Sequence, residues 1–81
     1  MIPKKIEITT NIRKALAQNS VFTKQELVFL FSGYEDEKTR KDIVVWLKMN
    51  GYLFQSSDCR WRKTDMFDEL LANGEEEIIT T

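Results

Sequence analysis

The sequence has no histidine, and its 81 residues include only one cysteine and one proline. Without histidine, imidazole acid–base chemistry and histidine-ligated metal sites are excluded for this chain. Cys59 stands alone, so no internal disulfide and no CxxC site can form, which is typical of a reducing compartment. We therefore expect no enzyme activity, no catalytic residue, no bound metal and no cofactor.

Long apolar runs are also missing. The longest run covers residues 27–31, far below the roughly 20 residues that a membrane-spanning helix needs. No apolar stretch follows residues 1–5 in the way that a signal peptide requires. We expect a cytoplasmic protein that makes no membrane contact.

Charge is unevenly distributed along the chain, although the formal net charge is only −1. Residues 1–24 and 38–64 are basic, whereas residues 25–37 and 65–81 are acidic. The sequence pI near 5.4 argues against a strongly basic nucleic-acid binder. The basic segments keep nucleic-acid binding open.

Hydrophobic spacing and capping residues predict three helices. The first covers residues 10–18, and the second starts with a capping box, Thr23 to Glu26, and ends at a left-handed Gly33. The third covers residues 36–49, with a buried stripe of Ile43, Val44 and Leu47.

A β-hairpin and a fourth, short helix are predicted after the third helix. Aromatic-rich runs at residues 52–55 and 59–63 flank a polar turn, which indicates a hairpin with Arg60 and Arg62 on one face. Thr64 or Asp65 caps the short helix, which ends at residues 73–74. Residues 75–81 are expected to form a disordered acidic tail. A tail that covers the basic surface, or a strand that binds a partner, remains as an alternative.

The hairpin aromatics and Cys59 each allow two interpretations. Tyr52, Phe54 and Trp61 could stack on unpaired bases, but we expect them to pack the hairpin onto the helices. Cys59 is expected to be a small buried side chain rather than a reactive thiol.

Four segments together resemble the winged helix-turn-helix superfamily. They are Thr-Lys-Gln-Glu-Leu at 23–27, Arg-Lys-Asp-Ile-Val-Val-Trp-Leu at 40–47, Asn-Gly-Tyr-Leu at 50–53 and Arg-Trp-Arg-Lys at 60–63. The resemblance covers roughly residues 9–64. It implies an α+β, mostly helical winged helix-turn-helix domain over residues 1–74, with three helices, a two-stranded hairpin wing and a short C-terminal helix.

The same resemblance implies a small DNA-binding protein that regulates transcription. Its third helix would enter the major groove of double-stranded DNA, and its wing would contact the backbone. The residues implied in DNA binding are Lys38, Thr39, Lys41, Asp42 and Val45 on the helix, and Ser56, Ser57, Arg60, Arg62 and Lys63 on the wing. A regulator of this size is expected to act as a homodimer through the first helix or the helix at residues 66–71.

One departure from that pattern favours a second interpretation. Glu35, Asp36 and Glu37 lie at the start of the third helix, where they would repel phosphates. The alternative is a winged-helix protein-interaction module without a DNA role, such as a phage or mobile-element protein that binds a host protein complex. Both interpretations stay open at this point.

Overall fold

Helices and strands are interspersed along the chain in the computed structural model, which describes residues 2–72 and 76–81. These residues form one compact α+β domain with the following elements: β1 Lys5–Ile8, α1 Thr10–Gln18, β2 Val21–Phe22, α2 Lys24–Leu30, α3 Glu37–Met49, β3 Leu53–Gln55, β4 Trp61–Lys63, α4 Asp65–Leu71 and β5 Glu77–Thr80. In this part of the chain, none of the helices has both the length and the apolar content needed to cross a membrane.

The predicted starts of the first three helices are confirmed, and side-chain caps explain them. Before α1, the Thr9 hydroxyl accepts the Ile12 N–H at 3.2 Å. The capping box of α2 is complete, because the Glu26 N–H donates to Thr23 Oγ1 at 3.1 Å and the Thr23 N–H donates to Glu26 Oε1 at 3.0 Å. The helix α3 begins at Glu37 because Asp36 is its N-cap.

The prediction that Gly33 ends α2 in a left-handed conformation is wrong. The helix α2 ends with Phe31 as its C-cap, and Gly33 has no positive φ. Positive φ values occur instead at Gly51, with 85°, and at Cys59, with 66°. Cys59 lies in the exposed turn of the hairpin, so the expectation of a buried thiol is also wrong.

The predicted hairpin is confirmed as β3 and β4, which pair antiparallel with Phe54 opposite Arg62 and Leu53 opposite Lys63. A third strand that the sequence analysis did not predict, β2, pairs with β4, so the strand order is β2-β4-β3. This pairing anchors the hairpin to the connection between α1 and α2.

The C-terminal segment differs from the disordered tail expected over residues 75–81. Glu77–Thr80 form β5, which pairs antiparallel with β1 and places Ile79 opposite Ile6. Ile6 and Ile79 are 0% and 5% exposed. The free energy gained by burying these apolar side chains explains why the segment is a strand although it is acidic. The expected helix end at residues 73–74 and the domain boundary at residue 74 lie outside the described residues.

Buried apolar side chains from every helix and from all five strands form one core cluster. The stripe predicted on α3 is confirmed, since Ile43, Val44 and Leu47 are each 0% exposed. Phe31 and Phe67 are the largest fully buried side chains in the described chain. Because α3 turns one face to this core, its opposite face is left to solvent.

Candidate nucleic-acid interface

The solvent side of α3 carries four of the five helix residues implied in DNA binding. Lys38, Lys41, Asp42 and Val45 are spaced at i, i+3, i+4 and i+7 and therefore share one helix face. Lys38, Lys41 and Val45 are exposed, and Asp42 is half-buried. We call these four residues the outer face of α3.

Ion pairs within the helix hold both lysines of this face. Lys38 Nζ lies 3.5 Å from Asp42 Oδ2, and Lys41 Nζ lies 3.5 Å from Glu37 Oε1. The lysine side chains are 75% and 54% exposed, so each pair contributes little free energy in water. A phosphate can therefore replace either carboxylate at small cost.

Thr39 lies at the start of α3, apart from the outer face. Its hydroxyl donates to Asp36 Oδ2 at 3.1 Å, while Asp36 Oδ1 accepts the Lys38 N–H at 3.3 Å. Asp36 is thus the helix cap, which gives part of the acidic cluster a structural role. Arg40 is occupied as well, because its Nη1 donates to the carbonyl oxygens of Tyr34 and Glu35 and fixes the connection between α2 and α3.

The tip of the hairpin is held together by its own polar groups. The Ser56 hydroxyl donates to Asp58 Oδ1 and, at 2.9 Å, to the Arg60 carbonyl oxygen. The Arg60 N–H donates to Asp58 Oδ1 at 3.2 Å, and Arg60 Nε lies 3.8 Å from Asp58 Oδ2. The Ser56 hydroxyl and then the Arg60 N–H hold the pKa of Asp58 below its ordinary value. Ser57 is exposed at the same tip.

Arg62 belongs to the strand β4, but Arg60 does not. Arg60 belongs to the turn, because β4 begins at Trp61 after the left-handed Cys59. Arg62 lies in the middle of β4, directly opposite Phe54 on one side and Val21 on the other. Side chains opposite each other in neighbouring strands share a face, so Val21, Phe54 and Arg62 form the outer face of the sheet. Arg62 makes no ion pair with any described residue.

The hairpin aromatics divide between the two faces of the sheet. Trp61 is 4% exposed in the core, and the half-buried Tyr52 stacks with Trp46 at a centroid distance of 6.1 Å. Phe54 is 44% exposed, so the expectation that it packs into the core is wrong. The alternation along β3 explains this, because Phe54 follows the buried Leu53.

Lys63 points away from the outer face of the sheet. Its side chain is 14% exposed, and its Nζ lies 3.2 Å from Asp68 Oδ1 on α4. It is paired with Leu53 in the register, on the face opposite to that of Arg62. Lys63 therefore fastens α4 to the hairpin.

The sequence analysis missed one exposed aromatic side chain. Phe29 on α2 is 76% exposed, between the buried Leu27 and Phe31. The signal was available in the sequence, because Leu27 and Phe31 are four residues apart and the residue midway lies on the opposite helix face.

Among the residues that the structure describes, no group of three or more cysteine, aspartate and glutamate side chains is placed to hold a metal ion. No family model matches the chain, and no curated protein or solved structure matches it either. Function therefore has to be inferred from the residues and contacts described above.

Proposed function

We propose that this chain is a winged helix-turn-helix domain that binds double-stranded DNA and regulates transcription. In this proposal α3 enters the major groove, and the β3–β4 hairpin is the wing that contacts the backbone. The observation that carries the proposal is the outer face of α3, which is followed at once by a hairpin whose half-buried Arg62 makes no ion pair with any described residue.

The connection between α3 and the hairpin supports this arrangement. Gly51 has a φ of 85°, the Gly51 N–H donates to the Lys48 carbonyl at 3.2 Å, and the Tyr52 N–H donates to the Leu47 carbonyl at 2.9 Å. These are the two hydrogen bonds of a Schellman motif, which ends the helix and turns the chain sharply. Strand β3 begins two residues after Gly51, so the hairpin lies against the end of α3.

The contacts described above support the following roles in the proposed complex. Lys38 and Lys41 would donate to phosphates or base edges, and Val45 offers an apolar contact for a thymine methyl group. Arg62 would hold the backbone from the sheet with its planar guanidinium. Lys63 has no part in this interface because Asp68 holds it.

The test is fluorescence anisotropy of a labelled random-sequence duplex, titrated with the full chain at about 50 mM and about 200 mM salt. We expect binding that weakens steeply as salt rises. Arg62→Ala and Arg60→Ala should each weaken it, because the exposed pair of Arg60 with Asp58 is weak and exchanges for phosphate at small cost.

Lys14→Ala is the matched control, since it removes one exposed positive charge from α1 and leaves the proposed interface intact. No binding at the lower salt concentration, or equal losses for Lys14→Ala and Arg62→Ala, would contradict the proposal.

The proposal includes a homodimer. One small DNA-binding domain buries only about 600–1,000 Å² of its surface on DNA, and a dimer would double that area. Met66 on α4 is 43% exposed and provides an apolar contact for a second copy. Sedimentation velocity of the chain with duplex DNA should give a complex of two chains per duplex.

Protein binding is a second candidate function, and Phe29 is the observation that favours it. A phenylalanine that is 76% exposed contributes little to the fold and is available to a partner. The ring itself is not part of the DNA interface proposed here, although Lys41 of that interface lines a hollow beside it.

A further inference from the structure

Two hollows lie side by side around α2, with volumes of about 420 Å³ and about 370 Å³. Phe29 and Leu30 line both, so the hollows adjoin at these two side chains. We call the two hollows together the α1–α2 groove.

The walls of the groove come from matching faces of the two helices. On α1 they are Asn11, Ile12 and Ala15, and on α2 they are Glu26, Phe29 and Leu30, each set at helical spacing. Phe22 closes one end, and Tyr34 closes the other. The apolar side chains among these walls, including Ile12, Phe29 and Leu30, offer contacts to the apolar stripe of a third helix.

The two hollows on the α1 side of Phe29 carry only negative charge, whereas a third hollow on its α3 side, of about 460 Å³, is lined by Lys24, Arg40 and Lys41. Glu7 borders the first hollow and Glu26 the second, and no lysine or arginine lines either hollow within the described chain. Glu26 Oε1 accepts the Thr23 N–H, but its side chain remains exposed to solvent. Basic groups beside an apolar anchor would therefore complement this rim.

We propose that the α1–α2 groove binds an amphipathic helical segment of a partner protein, with apolar anchors flanked by lysine or arginine. The anchors fill the two hollows on either side of Phe29, and the basic groups pair with Glu7 and Glu26. This interaction goes beyond DNA binding, because Lys38, Val45 and Arg62 line neither hollow.

The experiment uses synthetic helical peptides of about 14 residues, or roughly four turns. Three peptides carry leucine, phenylalanine or tryptophan at the central anchor. Each is made once with lysine and once with glutamate on its polar face. Binding is followed by amide chemical shifts of the full-length ¹⁵N-labelled chain.

We expect at least one lysine peptide to bind and to shift amides of α1 and of residues 26–34. Its glutamate counterpart should bind at least tenfold more weakly. Phe29→Ala should weaken binding at least tenfold, whereas Met49→Ala should have no effect. Met49 is a matched control, being 79% exposed at the end of α3 and absent from the groove lining.

A second pair of variants tests the rim. Glu7→Gln with Glu26→Gln should reduce affinity for the lysine peptide severalfold and lower its salt dependence. Glutamine keeps the capping box of α2, so the fold is preserved. Glu69→Gln is the control, because it removes an exposed carboxylate from α4, and it should change neither the affinity for the lysine peptide nor its salt dependence.

Three results would overturn the proposal. One is the absence of shifts with any lysine peptide up to about 1 mM. Another is equal binding of the lysine and glutamate peptides. The third is concentration-dependent self-association of the chain that Phe29→Ala abolishes, because a second copy would then be the occupant. None of these results bears on DNA binding, which the anisotropy titration measures separately.

Discussion

The two exposed surfaces of this small domain differ in what covers them. The outer face of α3 carries mostly charged side chains, and its two lysines are paired with carboxylates of the same helix, Lys38 with Asp42 and Lys41 with Glu37. The outer face of the sheet adds Arg62 beside Val21 and Phe54. The α1–α2 groove instead exposes an aromatic ring between two hollows, with carboxylates only at the rim. We call the first of these the α3–hairpin surface.

The difference indicates two kinds of recognition. Charged groups held by weak surface ion pairs exchange readily for phosphate, which suits a salt-dependent interaction with DNA. Burial of an exposed aromatic ring by a partner removes apolar surface from water and contributes favourably to the free energy of binding. Phe29 in the groove and the two lysines of the outer face of α3 lie outside the buried core, so each of these side chains can be altered without unfolding the domain.

The largest expected effect is a difference in stability between substitutions on the buried and the exposed side of α2. Phe31→Ala should cost about 3–5 kcal/mol of unfolding free energy, because the ring is 2% exposed in the core. Phe29→Ala should change it by no more than about 0.5 kcal/mol. Urea unfolding of both variants measures this difference. A large loss of stability for Phe29→Ala would contradict the assignment of that ring to a binding surface.

The next effect concerns the α3–hairpin surface alone. The triple variant Lys38→Ala, Lys41→Ala, Arg62→Ala should weaken duplex binding about tenfold or more at low salt and reduce the salt slope by about three. Its melting temperature should stay close to that of the unaltered chain, since the two lysine ion pairs are exposed. Unchanged binding of the lysine peptide by this variant would show that the two surfaces are independent.

A smaller effect is expected where β1 meets the groove. The Tyr34 hydroxyl accepts the Glu7 N–H at 3.1 Å and donates to the Lys5 carbonyl at 3.4 Å, so it caps the edge of β1. Tyr34→Phe removes both bonds and should cost about 1 kcal/mol. Hydrogen exchange should then quicken at Glu7 and leave the hairpin amides unchanged. Equal quickening in the hairpin would contradict a local effect.

The smallest effect is the pH dependence of the hairpin tip. The folded pKa of Asp58 lies below its ordinary value of 3.8, so the unfolded state takes up a proton first as the solution is acidified. The stability that Asp58 contributes is complete above about pH 4 and is lost as the pH falls through the folded pKa. Unfolding measured against pH should show that the difference between the unaltered chain and Asp58→Asn shrinks below about pH 4. A difference that grows in acid would contradict the hydrogen bonds assigned to this carboxylate.

Local signals predicted the parts of the fold that form between near neighbours in sequence. The capping box at Thr23, the apolar stripe of α3 and the aromatic runs of the hairpin each lie within a short segment, and each structure is confirmed. Long-range pairing was not predicted. The strand β5 depends on β1 at the far end of the chain, and β2 is only two residues long. The alternation Lys-Ile-Glu-Ile in β1 was the one local sign of a strand there.

The candidate site was predicted less completely than the fold. Sequence spacing placed the outer face of α3 correctly, because helix periodicity depends only on the helix itself. It could not reveal that Asp68 holds Lys63, since that contact joins β4 to α4. The sequence run also placed Arg60 within the second strand, whereas β4 begins at Trp61 and Arg60 belongs to the turn that follows the positive φ of Cys59.

The most direct test of two separate surfaces is an amide chemical-shift titration of the full chain with duplex DNA. We predict shifts over residues 38–45 and around Arg62, and none over residues 11–15 and 26–30. Shifts concentrated around Phe29 would contradict this account, and so would the absence of any shift at low salt.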